Sequence, residues 1–133
     1  MIKDLIKSGI DDESRPYWNG LKDKKLFIQQ CGDCQKSIFY PRSICPHCFS
    51  DNINWLEANG TGTIYSFTTV HQGYGPFKGE TPYTVGIVEL DEGVRMMTRI
   101  IGDYNEIKVD KRVSIIFKEV EEDFVLPYFQ VIT

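Results

Sequence analysis

Four cysteines in two CxxC pairs are the residues of this chain whose types and spacing point most directly to chemistry. The pairs read Cys31-Gly-Asp-Cys34 and Cys45-Pro-His-Cys48, they are separated by ten residues, and the chain has no other cysteine. A CxxC turn presents both thiolates on one side of a tight backbone knuckle, so two knuckles on neighbouring hairpins can enclose one tetrahedral ion. We therefore expect Cys31, Cys34, Cys45 and Cys48 to bind zinc. The zinc should be structural, because four protein thiolates leave no coordination position for water or substrate.

Two disulfides, a redox dithiol and a rubredoxin-like iron centre are the alternatives to zinc. The first ten residues are too short and too charged to supply the apolar core of a secretory leader, which favours a reducing cytoplasm and disfavours disulfides. A single CxxC would suit redox chemistry, but a second one at ribbon spacing is better explained by metal binding. Iron is the main alternative because tetrahedral sulfur sites accept either metal, and elemental analysis separates the two.

The residues around the cysteines depart from the usual knuckle in one respect. Gln35 and Phe49 directly follow the two pairs, at positions where such turns commonly have glycine. If the backbone there adopts a positive φ, each knuckle is strained. His47 lies inside the second pair, and with four thiolates available we expect it to be a solvent-facing spacer.

Composition and charge limit the class of protein. Of the 133 residues, 41% are hydrophobic and 13% are aromatic, which is typical of a folded globular chain. The net charge of −4 opposes general nucleic-acid binding, which needs Lys and Arg to neutralise phosphates. No apolar run approaches the roughly 20 residues that span a bilayer, so we expect a soluble protein without a membrane partner. Together with the first ten residues, this favours a cytoplasmic location.

The elements that must position the knuckles are predicted as three units of a mainly β chain. Residues 1–25 are expected to form an N-terminal helical arm, residues 26–58 a rubredoxin-like zinc ribbon, and residues 59–133 a five-stranded barrel of the OB-fold type. The expected ribbon strands are 26–30, 37–40 and 54–58, and the expected barrel strands are 62–70, 83–90, 94–101, 113–120 and 126–133. The ribbon has a thin core, so metal binding should supply much of its folding free energy.

The helix of the arm carries a short aromatic face. Ser14 is a candidate N-cap, and Tyr17, Trp18 and Leu21 are spaced to share one side of the helix. This side either packs against the chain's own ribbon or docks on a partner protein. Gly20 and the charged residues after it are expected to end the helix.

Several stretches, taken in order, resemble one known family. They are Pro16-Tyr-Trp18, Phe39-Tyr-Pro-Arg-Ser-Ile-Cys-Pro-His-Cys48, Gly60-Thr-Gly-Thr-Ile-Tyr65 and Val85-Gly-Ile-Val-Glu-Leu-Asp-Glu-Gly-Val94. From about residue 16 onward the chain resembles the zinc-ribbon plus OB-fold family catalogued as domain of unknown function family 35. The family pattern often has glycine directly after each CxxC, from which Gln35 and Phe49 depart.

The resemblance implies a small accessory protein that forms hetero-oligomers with thiolases and related condensing enzymes. It also implies that the OB domain helps to hold coenzyme A or an acyl-CoA, as a ligand shared with the active site of the partner. Neither the acyl group nor the partner is identified by the resemblance.

No self-contained active site is expected. A thiolase-like reaction needs a free cysteine nucleophile and a histidine to activate it, and zinc would leave no cysteine free. His71 is the only histidine outside the ribbon and is interpreted as structural. Ser66 and Ser114 lie in predicted strands without a sign of a catalytic triad. The acidic residues between 119 and 123 are interpreted as a solvated turn.

The candidate contacts to coenzyme A or to a partner lie in a long loop and among the arginines. The loop from His71 to Pro82 is rich in glycine, so its amides can approach a ligand. Arg95 and Arg99 are four residues apart on one predicted strand and should share a face. The alternatives are a surface loop that folds onto the barrel and arginines that pair with carboxylates. The candidate contact residues are Arg42, Tyr74, Phe77, Lys78, Arg95 and Arg99.

Three functions are compatible with these features. The first hypothesis is a non-catalytic accessory subunit of a thiolase or acyltransferase complex, docked through the helix and ribbon, with the barrel enclosing the coenzyme A arm. The alternative is a module that binds single-stranded nucleic acid, a role that zinc ribbons and OB barrels also have. The acidic net charge counts against nucleic acid as a partner. The third is a redox protein with iron in the ribbon.

Overall fold

The structure of the chain, a computed structural model, describes residues 11–71, 79, 82–103, 105–121 and 124–132. This part contains one helix followed by eight strands, which are α1 (Arg15–Lys22), β1 (Phe27–Cys31), β2 (Ser37–Ile38), β3 (Ile53–Glu57), β4 (Thr61–Val70), β5 (Tyr83–Leu90), β6 (Arg95–Ile101), β7 (Arg112–Glu121) and β8 (Phe124–Val131). Strands β1 to β3 form a sheet in the order β2-β1-β3, and the other five close into a barrel in the order β4-β5-β6-β8-β7. The predicted mainly β fold, with an N-terminal helix, a ribbon and a five-stranded OB-type barrel, is confirmed.

Helix α1 begins after Ser14, which occupies the predicted N-cap position but makes no side-chain hydrogen bond to the helix. The backbone N–H and the hydroxyl of Ser14 both donate to Oδ1 of Asp11, each over 3.0 Å, so this buried serine is hydrogen-bonded. Tyr17 and Leu21 lie one helical turn apart and are both buried. The amphipathic pattern predicted for this helix therefore turns the face of Tyr17 and Leu21 toward the interior.

Helix α1 ends at Lys22, where the charged residues begin as expected, and not at Gly20. Gly20 does not end the helix but lies within it, and a side chain there would collide with the ring of Phe27, because an added Cβ would be 2.4 Å from Cδ2 of that ring. The amides of Lys24 and Lys25 donate to the carbonyls of Leu21 and Gly20 over 3.1 and 2.9 Å. This closing turn usually has glycine at the position of Lys24, which adopts φ = 60° here. Gly20 thus serves close packing, and the turn around Lys24 ends the helix.

Strand β1 is the centre of the ribbon sheet and pairs antiparallel with both β2 and β3. Strand β2 contains only Ser37–Ile38 and stops before the expected end at residue 40. Beyond Ile38 the chain leaves the sheet, and the rings of Phe39 and Tyr40 lie edge-on to Tyr17, with ring centroids 5.5 and 5.7 Å apart. These aromatic contacts with the helix take the place of further strand pairing.

A bulge in β4 changes which of its residues face the core. Ile64 lies opposite the buried Val88 of β5, whereas two residues later Ser66 lies opposite Ile87. Residues opposite each other share a face, so Ile64 and Ser66 point to different sides of the barrel wall, and Tyr65 lies between them with an exposed side chain. A strict period-2 alternation along β4 would place Ile64 and Ser66 on one face. The register shift prevents this, because it is set by pairing with β5.

One hydrophobic core runs through the helix, the ribbon and the barrel. Its buried cluster joins Tyr17 and Leu21 of α1 and Ile28 of β1 to Val88 of β5. The other members are Leu26, Ala58, Ile64, Leu90, Val94, Met96, Ile100, Ile107, Val113, Phe129 and Val131. Each large apolar side chain buried in this way contributes roughly 1.5–3 kcal/mol. A separate small cluster surrounds the buried cysteines at the far end of the ribbon.

Two sets of residues that carry sequence-based expectations lie wholly or partly outside the described part of the chain. Tyr74, Phe77 and Lys78, the predicted contacts of the long loop, lie outside them, as do residues 122 and 123 of the acidic run. In the part of the chain that is described, the helix is too short and too polar to cross a bilayer.

Candidate metal centre and barrel groove

The four cysteine sulfurs converge at the tip of the ribbon. All four Sγ atoms lie within 4.8 Å of one another. The Cys31–Cys48 pair is 3.5 Å apart and the Cys34–Cys45 pair 3.7 Å. Thiolates about 2.3 Å from a tetrahedral ion have their sulfurs about 3.8 Å apart, so this spacing fits one metal ion. The four cysteines are not joined in disulfides, so all four sulfurs are available to a metal.

The first knuckle is folded by hydrogen bonds within the segment around its cysteines. The amide of Gln35 donates to the carbonyl of Cys31 over 2.9 Å, and the amide of Cys31 donates to the carbonyl of Lys36 over 3.0 Å. The amides of Asp33 and Cys34 both point at Sγ of Cys31, each over 3.4 Å. The bond from the Cys34 amide is the main reason that the pKa of Cys31 falls to about 6. The knuckle thus favours a thiolate at Cys31, the form that binds a metal.

The second knuckle repeats this arrangement. The amide of Phe49 donates to the carbonyl of Cys45 over 2.9 Å, and the amide of Cys45 donates to the carbonyl of Ser50 over 2.8 Å. The amide of His47 points at Sγ of Cys45 over 3.3 Å, while the imidazole of His47 is exposed. Phe49 adopts φ = 64° and its counterpart Gln35 adopts φ = 69°. Both residues therefore occupy the left-handed conformation that favours glycine.

A polar network joins the first knuckle to the segment after the second one. The carboxylate of Asp33 accepts hydrogen bonds from the hydroxyl of Ser50 and, over 3.3 Å, from the amide group of Asn52. The bond from Ser50 lowers the pKa of Asp33, so the carboxylate stays charged and the network intact near neutral pH. The amide of Gly32 also donates to the carbonyl of Asn52 over 2.7 Å. The sequence alone assigned no role to Asp33, Ser50 or Asn52. The only sequence feature that points to such a network is the polar segment from Ser50 to Asn52 after the second knuckle.

The donor set fits zinc. Cys31 and Cys45 are buried, Cys34 is half-buried, and sulfur-only tetrahedral sites are typical of structural zinc. Bound at this position, zinc would cross-link the two knuckles and supply no reaction chemistry, because all four coordination positions would be occupied by protein.

The predicted arginine contacts lie in three different surroundings. The backbone N–H of Arg42 donates to Oε1 of Gln29 over 2.7 Å, and the side chain of Arg42 is exposed. Arg95 is held by Glu89, with Nε 3.1 Å from Oε2, and its guanidinium lies 3.8 Å from the centroid of the Tyr65 ring. These contacts fix Arg95 on the surface of the barrel.

Arg99 lies on the same side of β6 as Arg95 but between two tyrosines. Its guanidinium carbon is 4.2 Å from the centroid of the Tyr83 ring and 5.3 Å from that of Tyr128. Cations over aromatic faces are attracted by the ring electrons, so the rings hold the guanidinium against the barrel wall.

A groove of about 330 Å³ lies between helix α1 and the barrel, beside Arg99. Trp18 and Leu126 contribute apolar walls, and Met97, which is 71% exposed, stands at the surface. Strands β6 and β8 are parallel and share only two residue pairs, Ile100 with Phe129 and Ile101 with Gln130. The groove runs along the remainder of these strands, where they are not paired.

The three residues predicted for partner docking have different environments. Tyr17 and Leu21 are 3% and 0% exposed and belong to the chain's own core. Trp18 is half-buried, its Nε1 donates to the hydroxyl of Tyr40 over 3.0 Å, and its ring stacks on Phe124 with centroids 5.6 Å apart. Of the three, only Trp18 has an accessible side chain, and it faces the groove.

Models of two protein-family domains match the chain. Residues 18–54 match the rubredoxin-like zinc ribbon domain of ChsH2, and residues 55–118 match the C-terminal OB-fold domain of ChsH2. A DUF35 domain-containing scaffold protein of Methanothermobacter thermautotrophicus is 35% identical over 97 residues, which cover 71% of this chain and 70% of that protein. The chain belongs to the DUF35 family. The predicted family resemblance is thereby confirmed.

Other relatives of this DUF35 chain have names that refer to enzyme subunits. A probable enoyl-CoA hydratase alpha subunit of Thermomonospora curvata is 32% identical over 125 residues, which are 93% of this chain. The chain covers only 39% of the length of that protein. The benzoylsuccinyl-CoA thiolase subunit BbsA of Thauera aromatica is 27% identical over 112 residues, covering 84% of this chain and 70% of the subunit.

The fold of this DUF35 chain also matches a solved structure described as the Ltp2-ChsH2(DUF35) aldolase. The two chains are 32% identical, and the TM-score is 0.82. The match covers 92% of this chain and 96% of the other. The ribbon and the barrel are therefore arranged alike in both.

Proposed function

We propose that this chain is a non-catalytic accessory subunit of an enzyme that acts on coenzyme A thioesters. It docks on the catalytic subunit and helps to bind coenzyme A or its acyl thioester. The observation that carries the proposal is the convergence of all four cysteines on one metal site, which leaves the chain without a thiol nucleophile. The names of the relatives support it, because the thiolase and hydratase relatives are each called subunits.

The groove beside Arg99 is the best candidate for contact with the thioester. It combines apolar walls from Trp18 and Leu126 with one guanidinium, which suits a ligand that has a long neutral arm and charged phosphates. Arg95 lies on the same side of β6, where Glu89 holds it at the surface of the barrel. Arg42 has an exposed side chain at the ribbon, where it can meet the phosphate end of an extended ligand.

An accessory subunit of this kind acts by positioning the substrate. A groove that holds the thioester arm beside the active site of the partner raises the fraction of correctly positioned substrate and excludes water from the reacting carbonyl. The nucleophile and the acid–base groups then belong to the partner subunit. This division of roles is consistent with a chain whose own titratable groups serve mainly structure, such as Asp33 and Cys31 in the knuckles.

The direct test compares the zinc-loaded chain with its native complex. The tagged chain is purified from its host together with its partner, the partner is identified and produced separately, and release of coenzyme A from acetyl-CoA and longer acyl-CoAs is measured. We expect no turnover by the chain alone and a higher rate for the partner when the chain is added. Turnover by the chain in the proven absence of the partner would refute the proposal.

A further inference from the structure

The two metal knuckles have the same backbone but different side chains at one equivalent position. The amides of Gln35 and Phe49 make equivalent bonds to the carbonyls of Cys31 and Cys45, and both residues have positive φ. Gln35 and Phe49 therefore show two different side chains at equivalent positions of one backbone geometry.

The side chain of Gln35 remains bonded to its own knuckle, whereas that of Phe49 does not. The amide group of Gln35 donates to the carbonyl of Gly32 over 3.4 Å. The ring of Phe49 is 80% exposed, more than any other large hydrophobic side chain in the described residues. A phenyl ring in water and a positive φ at a residue with a Cβ are both unfavourable, and the folded chain gains little packing from a ring with this exposure.

The second knuckle presents further apolar groups beside this ring. Ile44 is 54% exposed and Pro46 is exposed, and both flank Cys45. A metal ion bound to the cysteines would hold these residues in a fixed arrangement, so little conformational entropy would be lost on docking. An exposed aromatic side chain on a backbone that metal binding would hold in place has the properties of an interface hot spot.

We propose that the second knuckle, formed by Ile44, Pro46 and Phe49, is the anchor that docks this chain on the catalytic subunit. The ring of Phe49 enters an apolar pocket of that subunit. This inference rests on the proposed function, since it specifies the surface through which the accessory subunit binds its partner.

Charge favours a protein partner of this kind over a membrane or a second copy of the chain. The segment from residue 43 to residue 50 contains no Lys or Arg, and the whole chain has a net charge of −4, so attraction to anionic lipid is weak. Two copies of the chain carry the same net negative charge, which disfavours self-association. An apolar pocket on a different subunit accommodates the ring without either problem.

The test uses substitutions for which a structural role and a docking role predict opposite results. Phe49→Gly and Phe49→Asn remove the ring and suit the positive φ, so both variants should keep their zinc and unfold at the same or a higher temperature than the unsubstituted chain. Calorimetric titration with the purified catalytic subunit should show binding weakened about 30-fold or more. Gln35→Gly is the matched control, because it relieves the same backbone conformation on the other knuckle and should leave binding unchanged.

The possible results separate this inference from the proposed function. If the unsubstituted chain binds no catalytic subunit, the proposed function fails and the inference fails with it. If the unsubstituted chain binds and the Phe49 variants bind within about threefold as tightly, only the inference is overturned. Loss of zinc or a lower unfolding temperature in both Phe49 variants would overturn it by making the ring structural. Self-association of the chain that disappears in Phe49→Gly during sedimentation would instead assign the knuckle to a homodimer.

Discussion

At the scale of single residues, the metal centre is built from backbone amides as well as from thiols. The amides of Asp33 and Cys34 point at the sulfur of Cys31, and that of His47 points at the sulfur of Cys45. Such bonds disperse negative charge, which lets four thiolates share one divalent ion. Substitutions that change the knuckle backbone can therefore weaken metal binding even when all ligands are kept.

Replacing a buried ligand should remove the metal. In Cys45→Ser a hydroxyl replaces the sulfur, so we expect zinc to bind at least about 100-fold more weakly, since even changes outside the ligand shell cost roughly 10–100-fold. Zinc content by elemental analysis and competition with a chromogenic chelator measure the effect. His47→Ala in the same knuckle is the control and should retain full zinc, because its imidazole is exposed. Equal zinc affinity in both variants would contradict the four-thiolate site.

Arg99 should affect substrate affinity in the complex and not the fold. Arg99→Met keeps an apolar stem between Tyr83 and Tyr128 but removes the guanidinium. We expect the KM for acyl-CoA to rise about tenfold with little change in kcat, because a charge-assisted contact to the ligand is lost before the chemical step. Steady-state kinetics of the reconstituted complex measure this. Lys108→Met, which removes an exposed cation outside the groove, should leave KM unchanged.

The sequence predicted the metal ligands but not the contacts that surround them. The spacing of two CxxC pairs by itself requires two adjacent knuckles, and the positive φ considered for Gln35 and Phe49 is present. The link between Asp33 and Ser50 was not predictable, because it depends on how two segments approach each other in space. For the same reason the sequence left open whether Tyr17 faces the core or a partner.

At the scale of elements, one hairpin turn ties three strands of the barrel together. Asp91 lies between β5 and β6, and its carboxylate accepts two bonds from Arg112 of β7, over 2.7 and 3.0 Å, and one from the hydroxyl of Thr61 of β4 over 2.6 Å. The bonds from Arg112, and then the bond from Thr61, lower the pKa of Asp91 from 3.8 to about 2. The side-chain bonds of Asp91 therefore stabilise the barrel only while this carboxyl is ionised.

Because these bonds need an ionised carboxyl, the stability difference between the unsubstituted chain and an Asp91 variant should depend on pH. Asp91→Asn removes the charge, and we expect the unsubstituted chain to be more stable by up to about 1 kcal/mol above pH 4, since both partners are more than a third exposed and solvent weakens the pair. The difference should shrink as the pH falls from about 4 to about 2, because protonation in the folded state abolishes the bonds. Urea unfolding of both proteins across this range measures it. A constant difference would show that the charge of Asp91 has no role.

The elements themselves were largely predictable, and the exceptions have local causes. Strand β5 occupies 83–90 as expected, because alternating apolar residues between turn residues define a strand without further information. The bulge at Tyr65 is invisible in a period-2 pattern until the partner strand is known. The early end of β2 reflects aromatic packing against the helix, which is a tertiary contact.

For the whole molecule, the two clusters of buried side chains predict how it responds to metal removal. The cluster at the cysteines is small and separate, whereas β1 shares the core of the barrel. Chelation should therefore unfold residues 31–53 locally, since zinc contributes on the order of 10 kcal/mol to small modules. Amides of β5 and β6 should stay protected, and hydrogen exchange with mass spectrometry measures both regions. Loss of protection throughout the barrel would show that the metal supports the entire fold.

The joint between the ribbon and the barrel has a consequence for assembly. The amide of Ala58 donates to the carbonyl of Leu26 over 2.8 Å, and the next amide, that of Asn59, donates to the carboxylate of Glu92 over 2.9 Å. The main core also continues across this joint from α1 and β1 into the barrel, so the base of the ribbon has a fixed orientation on the barrel. A partner that binds the ribbon near the metal therefore also sets the orientation of the barrel. In this way a contact at the metal can determine where the barrel groove lies relative to a distant catalytic centre.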